Sequence, residues 1–216
     1  MTTKPHSRTS APGAVLLLAA AMASLSMPSH ATEEPGYQVV RMLGEVEVRQ
    51  YDTYAVAEVV VAGPAAEAGN QAFPILAAYI FGRNKGARTL AMTAPVTQSP
   101  VPVKLPMTAP VTQLAAPGGF LVQFALPRGV TADNAPEPLD GRVQLRQVVP
   151  NPVAVIRYSG FWSDSNYTQH LFQLQAALRV AGQAWTGEPV YARYDAPYTP
   201  WFMRRNEIWL ELAGGT

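Results

Sequence analysis

The sequence predicts an α+β domain built from two similar halves around one core. Three observations predict it. Period-two alternation of apolar and polar residues recurs from Tyr37 to Val61 and from Arg142 to Tyr158. A segment with helical spacing follows each of these stretches. Val46-Glu-Val-Arg-Gln50 returns as Val143-Gln-Leu-Arg-Gln147, an offset of 97 residues. The chain therefore reads as a weak tandem duplication of strand–strand–helix–strand units.

Residues 1–31 do not read as part of this fold. Lys4 and Arg8 give a basic start, and Ala14 to Leu25 is an apolar run without charge. That run is shorter than the roughly 20 residues a membrane-spanning helix needs. Pro28 breaks it, and Ser29-His30-Ala31 places small residues where a signal peptidase inspects them. The expectation is a secretory signal cleaved after Ala31 and a periplasmic protein; an uncleaved anchor or a buried helix is the alternative. Residues 32–36 read as a linker and residues 37–213 as the domain. The chain has no cysteine, which excludes a lipid anchor on cysteine, a disulfide framework, a thiolate metal site and a nucleophilic thiol.

Of 16 basic and 15 acidic residues, residues 1–31 hold Lys4 and Arg8 and no acid, so the remainder sits within one charge of neutral. No strong field draws nucleic acid or anionic membrane. Nothing after Leu25 reaches 18 uninterrupted apolar residues, so no stable membrane insertion is expected after cleavage. A soluble monomer is the expectation. Of the three histidines, His6 and His30 leave with the signal and only His170 remains.

Asp52-Thr53 marks a turn between two strands, and Gly63-Pro64 ends the second. A helix follows, with Asn70 as N-cap, Pro74 in its first turn, Phe73, Leu76, Tyr79 and Ile80 at helical spacing, and Gly82 just past its end. Arg83-Asn84-Lys85-Gly86 is a basic turn. Met92-Thr-Ala-Pro-Val-Thr-Gln98 then repeats as Met107-Thr-Ala-Pro-Val-Thr-Gln113. The two copies read as short strands in a hairpin, each ending or bulging at its proline. Gly118-Gly119 turns into a strand from Phe120 to Leu126. In the second half, Ser163 or Asp164 caps a helix whose face is Tyr167, Leu171, Leu174, Leu178 and Ala181, with Gly182 closing it. The last strands are Pro189 to Tyr194 and Glu207 to Leu212.

Phe73…Tyr79-Ile-Phe-Gly-Arg-Asn84 followed by Leu90-Ala-Met-Thr-Ala-Pro-Val-Thr97 resembles the SOUL heme-binding proteins, from their first helix into their Met-Thr-Ala-Pro-Val strand. Phe124-Ala-Leu-Pro127, Val153-Ala-Val-Ile-Arg-Tyr-Ser-Gly160 and Tyr194-Asp-Ala-Pro-Tyr-Thr-Pro-Trp-Phe-Met-Arg-Arg-Asn-Glu-Ile-Trp209 resemble further motifs of that family, in the same order. The likeness runs from about Tyr37 to Leu212, and the doubled Met-Thr-Ala-Pro-Val-Thr hairpin is similar to the bacterial branch. The resemblance implies a distorted antiparallel β-barrel of about eight strands with two flanking helices and pseudo-two-fold symmetry, a gyrase-inhibitor-like fold. It also implies a non-covalent heme or other tetrapyrrole, held against the first helix and a C-terminal loop.

A heme site needs an apolar slot, cations for the propionates and, in many proteins, an axial ligand. Leu76, Tyr79 and Ile80 are candidates for one wall, or are core. Arg83, with Lys85 and Arg88, is a candidate for the propionates or a solvated turn. Vertebrate members of the resembled family carry a basic residue just before the helix tyrosine; this chain has Ala78, so that anchor is missing. Met92 and Met107 line the slot, ligate iron weakly or simply pack. Trp201, Phe202 and Arg204 lie in a proline-bounded loop and read equally as a lid over a flat ligand or as a plug of the barrel end. His170 is the one imidazole available as an axial ligand; the alternative is a histidine satisfied by hydrogen bonding beside an apolar stripe.

Enzyme motifs are missing: no Gly-x-Ser-x-Gly elbow, no His-Glu-x-x-His, no phosphate loop and no dinucleotide fingerprint. The expectation is a binding protein that buffers, carries or delivers heme. Two other readings stand beside it. One is a small-molecule hydrolase using a pocket glutamate, for which Glu58, Glu67 and Glu188 are candidates. The other is a ligand-free interaction protein, which a structure with no cavity beside the first helix favours.

Overall fold

The computed structural model describes Met1 and residues 33–86, 103–196 and 198–214. The expected signal, Arg88 and the first repeat copy with Met92 lie outside the described residues. Residues from Thr32 onward cluster as one compact unit. Its elements are β1 (Tyr37–Leu43), β2 (Val46–Tyr51), β3 (Tyr54–Val61), α1 (Ala65–Ile80), β4 (Val111–Ala116), β5 (Gly119–Ala125), β6 (Gln144–Val148), β7 (Val153–Tyr158), α2 (Asp164–Val180), β8 (Trp185–Arg193), a short 3-10 turn (Trp201–Met203) and β9 (Asn206–Leu212).

The nine strands form one antiparallel sheet in the order β1-β2-β7-β9-β8-β4-β5-β3-β6. Without β1 this order is a palindrome of the two halves. β4 and β8 pair at its centre. Outward from them come β5 and β9, then β3 and β7, then β6 and β2. The first-half strand β2 pairs with β7, and the second-half strand β6 pairs with β3. Each half thus lends a strand to the other, and β2 and β6 are the two segments that match in sequence. α1 packs on β3 and β5, and α2 on β7 and β9. No described helix is long and apolar enough to cross a membrane.

Three expectations are corrected. First, the sheet is open rather than a closed barrel. β1 and β6 stand at opposite ends of the order and do not pair. β1 buries no residue and leaves Val39, Val40 and Met42 about half exposed at the sheet's end. Second, residues 37–61 form three strands. Gly44, with φ of 64°, makes the turn from β1 to β2, and Asp52-Thr53 joins β2 to β3, which belong to different parts of the sheet.

Third, α1 begins at Ala65, not after Asn70, and Pro74 lies inside it. Alanine favours the helix from its first turn, and Ala68 and Ala72 are fully buried, bringing the helix close to the sheet. Pro74 removes one N–H and leaves the Asn70 carbonyl unpaired within the helix. Both residues are exposed, so water serves that carbonyl. The hairpin expected between the two repeat copies involves the first copy and so lies outside the described residues. Pro110 stands just before β4, and Val111 to Gln113 pair with β5 on one side and β8 on the other. The Gly118-Gly119 hairpin is as read: a Cβ on Gly119 would collide with the Val61 carbonyl.

Two apolar clusters fill the space under the helices. One joins Leu76, Tyr79 and Ile80 of α1 to Val59, Val122 and Phe124. The other joins Leu174 and Leu178 of α2 to Val48, Ile156, Ile208 and Leu210. Ser163 caps α2 by accepting from the Asn166 N–H at 3.3 Å.

Candidate functional site

An open groove of about 460 Å³ runs along the outer side of α1. Ligand pockets typically enclose about 300–1,000 Å³. Pro74, Ile75, Ala78 and Tyr79 form the helix side, Leu139 and Asp140 the facing turn, and Arg83 and Arg142 supply two cations. The turn is tied down at several points. The Tyr79 hydroxyl donates to the Pro136 carbonyl at 2.9 Å. Lys85 N–H donates to the Glu137 carbonyl at 2.8 Å, and Leu139 N–H to the Arg83 carbonyl at 3.3 Å. Buried Asn84 anchors the other side, donating to the Tyr79 and Val103 carbonyls at 3.2 and 2.8 Å.

Charge at the groove is held near neutral. Arg142 grips Asp140 through two nitrogens, at 3.0 and 2.6 Å. Those bonds hold the Asp140 carboxyl at about 2, well below the usual carboxylate range. Arg83 is exposed at the other end of the groove. Lys85 pairs with Glu137 at 2.5 Å, a partly solvated pair.

The expected wall therefore turns out rotated about the helix. Tyr79 and Arg83 line the groove, but Leu76 and Ile80 are core. The helix residues at the groove are Pro74, Ile75 and Ala78, which the apolar stripe of the sequence did not single out. Met107 is half-buried and packs against the α1 cluster.

The other candidates lie elsewhere. Trp201 and Phe202 are 49% and 60% exposed, so they do not plug the sheet's end. Trp201 stacks on Phe161 with centroids 5.2 Å apart and meets Phe202 edge-on at 5.6 Å. Arg204 donates to the Thr199 carbonyl at 2.8 Å and lies 4.5 Å over the Trp162 ring. None of these three residues lines the α1 groove. His170 sits on α2, the helix of the other half. Its Nδ1 is 2.7 Å from the Asn166 carbonyl, and its ring stacks on Tyr158 at 4.2 Å. A carbonyl only accepts, so Nδ1 carries the proton. Among the described residues no three His, Asp or Glu side chains cluster as a metal site would require.

The centre of the sheet's helix-free face was missed. Along β9, Ile208 and Leu210 turn toward α2, so alternation turns Glu207 and Trp209 to the other face. There the Glu207 carboxylate, 1% exposed, accepts from Arg49 at 2.8 and 3.1 Å and from Arg205 at 3.0 and 2.9 Å. Tyr194 and Trp209 donate to it at 2.8 and 2.9 Å. Burial alone would raise its pKa; the bonds and charges of Arg49 and Arg205 outweigh that, and the carboxyl stays below its ordinary range. Tyr37, Tyr51 and Trp209 pack over the network, with successive centroids 5.0 Å apart. This glutamate has its acceptor positions taken and is no free base. Glu58 is likewise engaged, by Gln123 at 2.7 Å and Arg146 at 3.1 Å.

Comparison with known proteins adds the following. The profile of the SOUL heme-binding proteins matches residues 32–211. Heme-binding protein 1 of Mus musculus is 27% identical over 151 residues, covering 69% of this chain and 74% of the mouse protein. Heme-binding protein 1 of Sus scrofa is 28% identical over 157 residues, with the same coverage. Among solved structures, the EcmrR C-terminal domain superposes with a TM-score of 0.53 at 14% identity, covering 82% of this chain and 98% of that one. A hydrolase from Listeria innocua superposes with a TM-score of 0.52 at 13% identity, covering 78% and 92%. At such low identity the structural matches speak for the fold alone.

Proposed function

The chain belongs to the SOUL heme-binding protein family, and from that premise we propose that its α1 groove holds heme or a closely related tetrapyrrole. The observation that carries this reading is an apolar floor next to two arginines in one groove. Pro74, Ile75, Ala78 and Leu139 take the face of the macrocycle, and desolvating that face supplies most of the affinity. Arg83 and Arg142 take the propionates. Arg142 shares itself with Asp140 or exchanges partner, at little cost because solvated ion pairs are weak. Ala78 leaves the floor flat where a longer side chain would stand.

Among the described lining residues there is no histidine, cysteine or methionine, and the Tyr79 hydroxyl is turned to a backbone carbonyl. On this reading the described residues grip the ring by face and edge. When bound, the heme supplies the redox-active iron; the protein's part is to hold it, shield one face and release it. Among the described residues the groove offers no nucleophile and no base other than the acidified Asp140, which supports carriage over catalysis. The cavity beside α1 also weighs against a ligand-free interaction protein.

The protein works in the periplasm on this reading. Lys4, Arg8, the apolar run and Ser29-His30-Ala31 support a cleaved export signal. Intact mass of the exported protein should begin at Thr32; an unprocessed N-terminus contradicts it.

The functional test is a hemin titration of residues 32–216 followed by absorbance. Saturable one-to-one binding that Ala78→Glu weakens supports the reading. Absence of saturable binding sinks heme as the ligand.

A further inference from the structure

β4 and β8 meet at the centre of the sheet, and the first residues of both helices arrive at the same place. A small cavity of about 40 Å³ lies there, lined by Ala65 of α1, Gln113 of β4, Arg193 of β8, and Trp162 and Ser163 at the start of α2. It shares no lining residue with the α1 groove.

Three features of this cavity leave binding capacity that the fold does not use up. The first is Arg193. Arg49 pairs with Glu207 and Glu47, and Arg205 with Glu207 and Glu34, but Arg193 has no ion pair among the described residues. Burial lowers its pKa and Arg204 pushes the same way; only the phenols of Tyr158 and Tyr191 oppose them. Its guanidinium lies 4.7 Å over the Trp162 ring, which also meets Arg204 at 4.5 Å and donates its Nε1–H to Asn206 Oδ1 at 2.7 Å. The second is Gln113, which is 4% exposed. Its Nε2 donates to the Ala65 carbonyl at 2.8 Å, which fixes the amide's orientation, and its Oε1 has no partner. A buried acceptor left unpaired is costly.

The third is Gly69, in the interior of α1. Glycine weakens a helix relative to alanine, and the Gly69 backbone needs no left-handed φ. A Cβ at this position would stand 3.0 Å from Arg193 Nη1 and 3.7 Å from Gln113 Oε1. The missing methyl leaves room for the Arg193 guanidinium beside Gln113.

We propose that this cavity is a second ligand site, for a small carboxylate that bears a neighbouring hydrogen-bond donor. The carboxylate pairs with Arg193, and the donor meets Gln113 Oε1. Trp162 keeps the guanidinium in place, and the carboxylates of Asp164 and Glu207, which also line the cavity, disfavour ligands of higher negative charge such as phosphate.

The test is isothermal titration of residues 32–216, free of heme, with sodium glycolate, sodium acetate and potassium phosphate at constant ionic strength. Glycolate binds saturably, and about tenfold more tightly than acetate, which lacks the donor for Gln113. Arg193→Gln loses glycolate binding while its hemin titration stays unchanged, which separates this site from the groove. Gly69→Ala, a change that favours the helix, also loses glycolate because its methyl displaces the guanidinium, and it carries the test if Arg193→Gln does not fold. No saturable heat with glycolate, or binding that survives both substitutions, overturns the site. Phosphate binding tighter than glycolate overturns the carboxylate assignment.

Discussion

α1 and α2 occupy equivalent places in the two halves, yet they do different work. Each covers the outer strand pair of its half, and each contributes a pair of fully buried large residues to a separate apolar cluster, Leu76 and Ile80 against Leu174 and Leu178. Beyond that the helices diverge. α1 also buries Ala68, Ala72 and Tyr79, carries a proline in its middle, and has the Leu139–Arg142 turn standing beside it to make a groove. α2 has only Leu174 and Leu178 fully buried, starts with a regular serine cap, and spends its histidine on stacking. Duplication accounts for the architecture. The candidate site lies where the copies depart from one another.

The sharpest departure is on β9. The offset of 97 that aligns Val56 with Val153 also aligns Val60 with Arg157, and their cross-strand partners are Leu121 and Glu207. Glu207→Ala removes the buried carboxylate that Arg49 and Arg205 share, leaving Arg49 only the partly exposed Glu47, and should cost about 3 kcal/mol in denaturant unfolding. The mirror-related Leu121→Ala, at a half-buried position, should cost about 1–2 kcal/mol. Equal losses would remove the asymmetry. Glu207 has a depressed folded-state pKa, so its contribution is complete above about pH 4.5 and is lost as pH falls through the folded value. Glu207→Gln should therefore flatten the acid side of the stability–pH curve.

The groove gives the next largest effect. Ala78→Glu on α1 should weaken hemin binding about tenfold or more, by placing a buried-side charge against the apolar ring face. Phe172→Glu, on the exposed side of α2, should leave the affinity alone. Arg83→Ala and Arg142→Ala should each weaken binding only about three- to fivefold, with the difference shrinking as salt rises. The smallest effect is at the lone imidazole: His170→Ala should leave the Soret band of the complex unchanged.

Much of the fold was legible in the sequence because strand alternation and the β2–β6 match are local patterns. The pairing of β2 with β7 and of β6 with β3 was not, because no local pattern tells a strand which half to join. Pro74 and Asn70 misplaced the start of α1, since proline in a helix interior is tolerated only when its freed carbonyl meets water. The lining of the candidate groove was half legible. Tyr79 and Arg83, named from spacing and charge, stand at it. Leu76 and Ile80 were chosen because they are apolar, and the same property buries them. Ile75, Ala78 and Arg142 were missed because the groove depends on a turn some 60 residues away in sequence. Glu207 was overlooked for a similar reason: Arg49 and Arg205, which hold it ionised, are on different strands or loops, and a pKa depends on those neighbours in space.

The most direct test of the groove is amide chemical-shift mapping with metal-free protoporphyrin IX, which removes iron ligation as a source of affinity. The account predicts saturable shifts confined to α1 from Pro74 to Arg83 and to the Leu139–Arg142 turn. Shifts centred on His170 or on Trp201–Met203, or binding that appears only when iron is present, would contradict it.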